Sequence, residues 1–114
     1  MSEWTIYHNP RCTKSRETLE LLRKKKIEPE VIEYLKKFPN SEEIKGLLKK
    51  LGISASALLR KKEPILKKLN LNLENESEVI QAMIKNPVLM ERPIVVHKDR
   101  AVLGRPPENV KKLF

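Results

Sequence analysis

The stretch Trp4-Thr5-Ile6-Tyr7-His8-Asn9-Pro10-Arg11-Cys12-Thr13-Lys14-Ser15-Arg16 decides how the chain is read, because it joins a strand-like run to a helix through a loop carrying the chain's one cysteine. Trp4 to Tyr7 are aromatic and β-branched, types that suit a pleated, half-buried surface, and Asn9-Pro10-Arg11 has the composition of a turn. From about Thr13 to Lys25 the pattern is helical, which puts Cys12 at a helix N-terminus. There the first N–H groups lack carbonyl partners, and the positive end of the macrodipole faces the thiol. Arg11, Lys14 and Arg16 add cationic charge, and His8 is close in sequence. Each of these favours thiolate over thiol. The same geometry binds anions, so one loop is able to hold an oxyanion and attack it with sulfur. The plainer reading is a small buried loop cysteine, but inert cysteines sit in apolar surroundings, and this one is flanked by cations.

Working outward, Glu17 and Glu20 lie early in the first helix and Arg23 to Lys26 late, the polarity a helix dipole prefers, with Leu19 and Leu22 facing a core. Pro29 is expected to end any helical continuation, and Glu30 to Leu35 reads as a second strand. A strand, helix and strand in succession normally pair their strands in parallel. Asn40-Ser41-Glu42-Glu43 reads as a capping box before Ile44, Leu47, Leu48 and Leu51, with Gly52 as the stop. A short helical turn through Leu58-Leu59-Arg60 follows, capped by Ser54. Pro64 then opens another helix with Ile65, Leu66 and Leu69 inward. Asn75 and Glu78 read as a second capping box ahead of Val79, Ile80, Met83 and Ile84, ended by Asn86-Pro87. The last third returns to strand. Arg92 to His97 and Ala101 to Leu103 form a hairpin, and Gly104-Arg105-Pro106-Pro107 leads into a closing helix with Val110, Leu113 and Phe114 on one face.

These elements predict an α/β fold in a single domain, 1–114, with a mixed sheet of about four strands and a helical insertion over about 40–86. One cysteine in 114 residues excludes an intramolecular disulfide, so any redox chemistry needs an outside thiol. No apolar run approaches bilayer length and the first residues lack the regions of a signal peptide, which predicts a reducing cytoplasm and no membrane partner. The net charge of +9, from 24 Lys and Arg against 15 Asp and Glu, raises the prospect of an acidic or nucleic-acid partner. Most basic runs, however, fall at predicted helix ends, where cations complement the dipole. Aromatics are 4% of residues, which leaves few stacking platforms for single strands and argues against nucleic acid.

With these residues in place, the chain resembles, nearly end to end, the arsenate reductases of the glutaredoxin-coupled, thioredoxin-fold type. The resemblance is carried by Tyr7-His8-Asn9-Pro10 with Cys12 and Ser15-Arg16, by Leu58-Leu59-Arg60, Asn86-Pro87 and Arg92-Pro93-Ile94-Val95-Val96, and by Gly104-Arg105-Pro106. It implies a thioredoxin-like sheet with an inserted helical block and a cis bond before Pro93. It also implies Cys12 as nucleophile, Arg60, Arg92 and Arg105 on the oxyanion, and His8, Ser15 and Arg16 as groups that tune the thiolate. Planar guanidinium groups match tetrahedral oxyanions through paired donors, so the arginine set is chemically consistent. The resemblance further implies arsenate as substrate, glutathione as co-substrate and a glutaredoxin as partner, with no bound cofactor and no metal. Arg11 and Lys14 depart from it, as extra cations in a loop that other members build with smaller or neutral residues. Two alternatives stay open: a glutathione-dependent thiol-disulfide oxidoreductase acting on another substrate, and a non-catalytic regulator of the Spx type. Ser15 removes the cysteine-x-x-cysteine switch that many such regulators carry.

Overall fold

The computed structural model describes residues 3–114. By its internal contacts the chain divides into two compact units, one made of the residues up to Lys37 together with Arg92–Phe114, the other of Phe38–Glu91.

The first unit holds a mixed sheet built from β1 (Trp4–His8), β2 (Glu30–Glu33), β3 (Ile94–His97) and β4 (Arg100–Leu103), in the order β2-β1-β3-β4. β1 runs parallel to β2 and antiparallel to β3, and β3 and β4 form the antiparallel hairpin. The apolar residues dictate this order. The Ile94-Val95-Val96 run is buried throughout and lies inside the sheet, whereas β2 and β4 carry exposed Glu30 and Arg100 at the edges, where charge discourages further pairing. Ile6 and Val95 face each other in register and join Leu19 and Leu22 of α1 (Thr13–Lys24) with Val110 and Leu113 in one buried cluster.

Three local features differ from the sequence reading. The second strand ends at Glu33, whose carbonyl accepts the N–H groups of Lys36 and Lys37 in a turn, so Tyr34 and Leu35 leave the sheet. α1 ends before Pro29, through a left-handed residue. Lys26 sits at φ 61°, its N–H donates to the Arg23 carbonyl, and the N–H of Ile27 donates to the Leu22 carbonyl. That is the Schellman pattern with lysine where glycine is usual, and Ile27 packs on the same core as Leu22. The closing segment Pro107–Leu113 is a 3-10 helix, and Phe114 at its end is exposed.

The second unit contains the helical block. α2 (Ser41–Leu51) opens with the predicted capping box, the Asn40 side chain accepting from the Glu43 N–H and Glu43 accepting from the Asn40 N–H, and ends at Gly52 with φ 69°. α4 (Glu76–Lys85) has only half of the second predicted box. Asn75 caps it, but the Glu78 carboxylate turns to the N–H of Asn72. In the short α3 (Pro64–Leu69) the inward-facing Ile65, Leu66 and Leu69 are half-buried. Arg60 is not helical. The 3-10 turn stops at Leu58, Leu59 bridges antiparallel to Met90, and the Arg60 N–H donates to the Leu89 carbonyl.

Candidate active site around Cys12

β1 ends at His8, and the chain turns through Asn9, Pro10 and Arg11 into α1. Asn9 organises the turn, a role the sequence reading did not give it. Its carbonyl accepts the Cys12 N–H at 3.0 Å, and its side-chain Oδ1 accepts the Arg11 N–H at 3.0 Å. An asparagine before a proline is a signal for such a side-chain-closed turn, since asparagine bonds the backbone two residues on.

Cys12 occupies the N-cap position of α1 in extended conformation, and no oxygen caps the helix. The N–H groups of Ser15 and Lys14, third and second in the first turn, are instead directed at its sulfur, together with the guanidinium of Arg92. Burial by itself raises the thiol pKa, but the Ser15 N–H, the Arg92 hydrogen bond and charge, and the Lys14 N–H outweigh it, so the Cys12 pKa lies below the ordinary thiol value. The cations adjacent in sequence act otherwise than expected. The Arg16 guanidinium donates to the Pro10 carbonyl at 2.9 Å and to Thr13 Oγ1 at 3.2 Å, bracing the loop. Arg11 and Lys14 point their side chains to solvent.

Ser15 and His8 also differ from the simplest expectation. Ser15 Oγ accepts the Asn9 N–H at 3.1 Å and lies 2.6 Å from His8 Nδ1, with both residues buried. Ser15 thus reaches the thiol through its backbone and His8 through its side chain, and His8 bonds Ser15 and not the sulfur.

Arg92 precedes a cis bond to Pro93, as the resemblance implied, and a second cis bond joins Arg105 to Pro106. The two arginines are tied together: Arg105 Nη1 donates to the Arg92 carbonyl at 3.2 Å, and the Gly104 N–H donates to the Pro93 carbonyl at 2.9 Å. Only glycine fits at position 104, because a Cβ there would stand 2.5 Å from Thr18 Oγ1 and 2.8 Å from Pro93 Cγ. Among the described residues the Nε of Arg92 is buried and has no hydrogen-bond partner. The Cys12 unit therefore presents an activated sulfur beside a guanidinium with a donor to spare. Arg60 belongs to the second unit, where its guanidinium lies 3.4 Å from Glu63 and 3.8 Å from Glu91. Among the described residues no helix is long and apolar enough to cross a membrane.

The sequence profile of the ArsC family matches residues 7–113. An arsenate reductase of Haemophilus influenzae is 45% identical over 112 residues, covering 96% of this chain and 97% of that one. The YfgD protein of Escherichia coli K12, described as uncharacterized, is 53% identical over 111 residues, covering 95% and 93%. Among solved structures, an arsenate reductase from Vibrio cholerae superposes with a TM-score of 0.93 at 45% identity, covering 97% of each chain.

Proposed function

This chain belongs to the ArsC family and has its thioredoxin-like fold, and from that premise we propose that it is an arsenate reductase with Cys12 as its nucleophile. The observation that carries the reading is the Arg92 guanidinium, which lowers the Cys12 pKa while its buried Nε–H has no partner among the described residues. A buried unsatisfied cationic donor is costly, and an oxyanion bound beside the thiol satisfies it. Arsenate reductases of 43% to 45% identity over nearly the whole chain support the choice of oxyanion.

In the proposed reaction the Cys12 thiolate attacks arsenic, a sulfur–arsenic bond forms, and one arsenate oxygen leaves, protonated, as water. The thiolate of glutathione then attacks the Cys12 sulfur. The sulfur–arsenic bond breaks with its electron pair on arsenic, so As(V) becomes As(III) while the two sulfurs are oxidised to a mixed disulfide. A glutaredoxin thiolate takes the glutathionyl group by exchange and returns Cys12 as thiolate. Arg92 and Arg105, with Arg60 as the third cation implied by the family resemblance, hold the oxyanion and stabilise its developing charge. His8 and Ser15 hold the loop in which the thiolate is stabilised, and Arg16 braces it. With a single cysteine the cycle depends on external thiols, so we place it in the cytoplasm, where thiols are kept reduced.

The test is NADPH consumption with arsenate, glutathione, glutaredoxin and glutathione reductase. Arsenate-dependent consumption is expected in the wild type and lost in Cys12→Ser, which still binds oxyanion. Turnover retained in Cys12→Ser overturns the mechanism. No consumption in the wild type, with Cys12 still readily alkylated, moves the nucleophile to another thiol substrate.

A further inference from the structure

Arg11 and Lys14 stand on either side of Cys12, and the mechanism above uses neither side chain. Both are exposed, and neither makes a side-chain hydrogen bond or an ion pair with any described residue. Their backbones, in contrast, are fixed. The Arg11 N–H is tied to Asn9 Oδ1, and Lys14 lies in the first turn of α1 with its carbonyl accepting the Thr18 hydroxyl at 2.8 Å. Glu17 is one turn from Lys14, yet no ion pair joins them. Nor do these two charges set the acidity of the thiol. The groups that act on it are burial, the Ser15 and Lys14 N–H groups and Arg92, while the side-chain charges of Arg11 and Lys14 are absent from that set. Two solvent-facing cations, anchored at their backbones and left without carboxylates, therefore flank the one sulfur in sequence, one residue before it and two after it.

We propose that Arg11 and Lys14 form a carboxylate-selecting rim that determines which thiol reaches Cys12, favouring a small anionic thiol of the glutathione class over uncharged thiols. This rests on the reading of Cys12 as a sulfur that exchanges with an external thiol. Glutathione carries a carboxylate at each end of the tripeptide with its thiol between them. Cations on both sides of Cys12 can engage those ends while the sulfurs meet. Arsenate needs no such rim, because a compact oxyanion is held by the inner arginines. The rim acts on the second reactant only, which makes Arg11 and Lys14 residues of specificity for the thiol.

The test isolates the exchange step and needs no arsenate. Wild type and the R11Q/K14Q variant are each reacted with oxidised glutathione, an anionic disulfide, and with bis(2-hydroxyethyl) disulfide, a neutral one. Cys12 modification is followed by mass. In each reaction the Cys12 thiolate attacks one reagent sulfur, the reagent disulfide breaks, one thiolate leaves, and Cys12 ends as the mixed disulfide. The ratio of the anionic to the neutral rate is expected to fall about three- to tenfold in the variant, the size expected for two exposed charge contacts, and to fall with added salt in the wild type. An unchanged ratio overturns the proposal. That includes the case in which both rates drop together, the signature of a distorted loop. A wild type inactive on arsenate would sink the reductase reading and leave this measurement standing.

Discussion

His8 Nδ1 and Ser15 Oγ lie 2.6 Å apart, buried, and the same hydroxyl accepts the Asn9 N–H at 3.1 Å, so one oxygen ties the end of β1 and its turn to the first turn of α1. Ser15→Ala leaves the Asn9 N–H and His8 Nδ1 unpaired in the interior. Removing one partner of a buried pair typically costs about 1–3 kcal/mol, and urea unfolding should register a loss in that range. The same substitution frees the turn that holds the Ser15 N–H at the sulfur, so the pH at which Cys12 is half-alkylated by iodoacetamide should move up. An unchanged midpoint would mean that the loop is held without the hydroxyl.

The His8 ring also makes stability depend on pH. Burial holds its pKa below the ordinary histidine value of 6.5, with Glu33 opposing and Arg23 and Arg16 reinforcing the shift. Between that depressed value and 6.5 the unfolded chain binds more protons than the folded one. Stability should therefore rise with pH through this window and level off above it. Acidification from about pH 7 to about pH 5 should lower the urea midpoint, and His8→Gln, which keeps a polar group facing Ser15 but cannot titrate, should flatten the dependence. An equal slope in that variant would assign the effect to other groups.

Lys26 offers a test away from the site. It holds a left-handed conformation at φ 61°, required by the Schellman closure that brings Ile27 onto the core. A residue with a Cβ is strained there by about 1–2 kcal/mol, and glycine is not. After the entropy that glycine loses on folding, Lys26→Gly should stabilise the protein by about 0.5–1 kcal/mol, read as a higher midpoint in urea. A loss of stability would mean that the lysine side chain contributes more than its backbone strain costs.

The features readable in advance are those set by local chemistry. β1, α1, the Asn40 capping box and the final hairpin each follow from neighbours within a few positions, and the parallel β1 and β2 pair follows from the succession of strand, helix and strand. The features that escaped depend on contacts distant in sequence or on competition between local partners. At the second box the Asn75 N–H goes to the Asn72 carbonyl, and the Glu78 carboxylate accepts the Asn72 N–H in its place. The resemblance gives Ser15 a part in tuning the thiolate, but nothing local shows that His8 turns inward to meet it. Cys12 was expected to be activated by the cations beside it, but the cation that reaches it is Arg92, from the start of the hairpin. The resemblance selected Arg92 and spacing did not.

That difference between cations gives a prediction that separates Arg92 from Arg60. Burial raises the Cys12 pKa, and the Ser15 N–H, the Arg92 guanidinium and the Lys14 N–H bring it below the ordinary thiol value. Arg92→Met removes a hydrogen bond and a full charge from that balance. The alkylation midpoint should move to higher pH, and at neutral pH the iodoacetamide rate should fall. Arg60 lies against the carboxylates of Glu63 and Glu91, which offset its charge, so Arg60→Met should leave the alkylation profile in place. If both arginines hold arsenate, each substitution should still lower kcat/KM for arsenate by about 100- to 1,000-fold, the usual consequence of losing one donor to a developing oxyanion. The pair of measurements therefore separates activation of the nucleophile, expected of Arg92 alone, from clamping of the substrate, the role proposed for both. An alkylation profile that shifts equally in the two variants would refute this division. A profile unmoved in Arg92→Met would show that the helix N-terminus alone is enough to acidify the thiol.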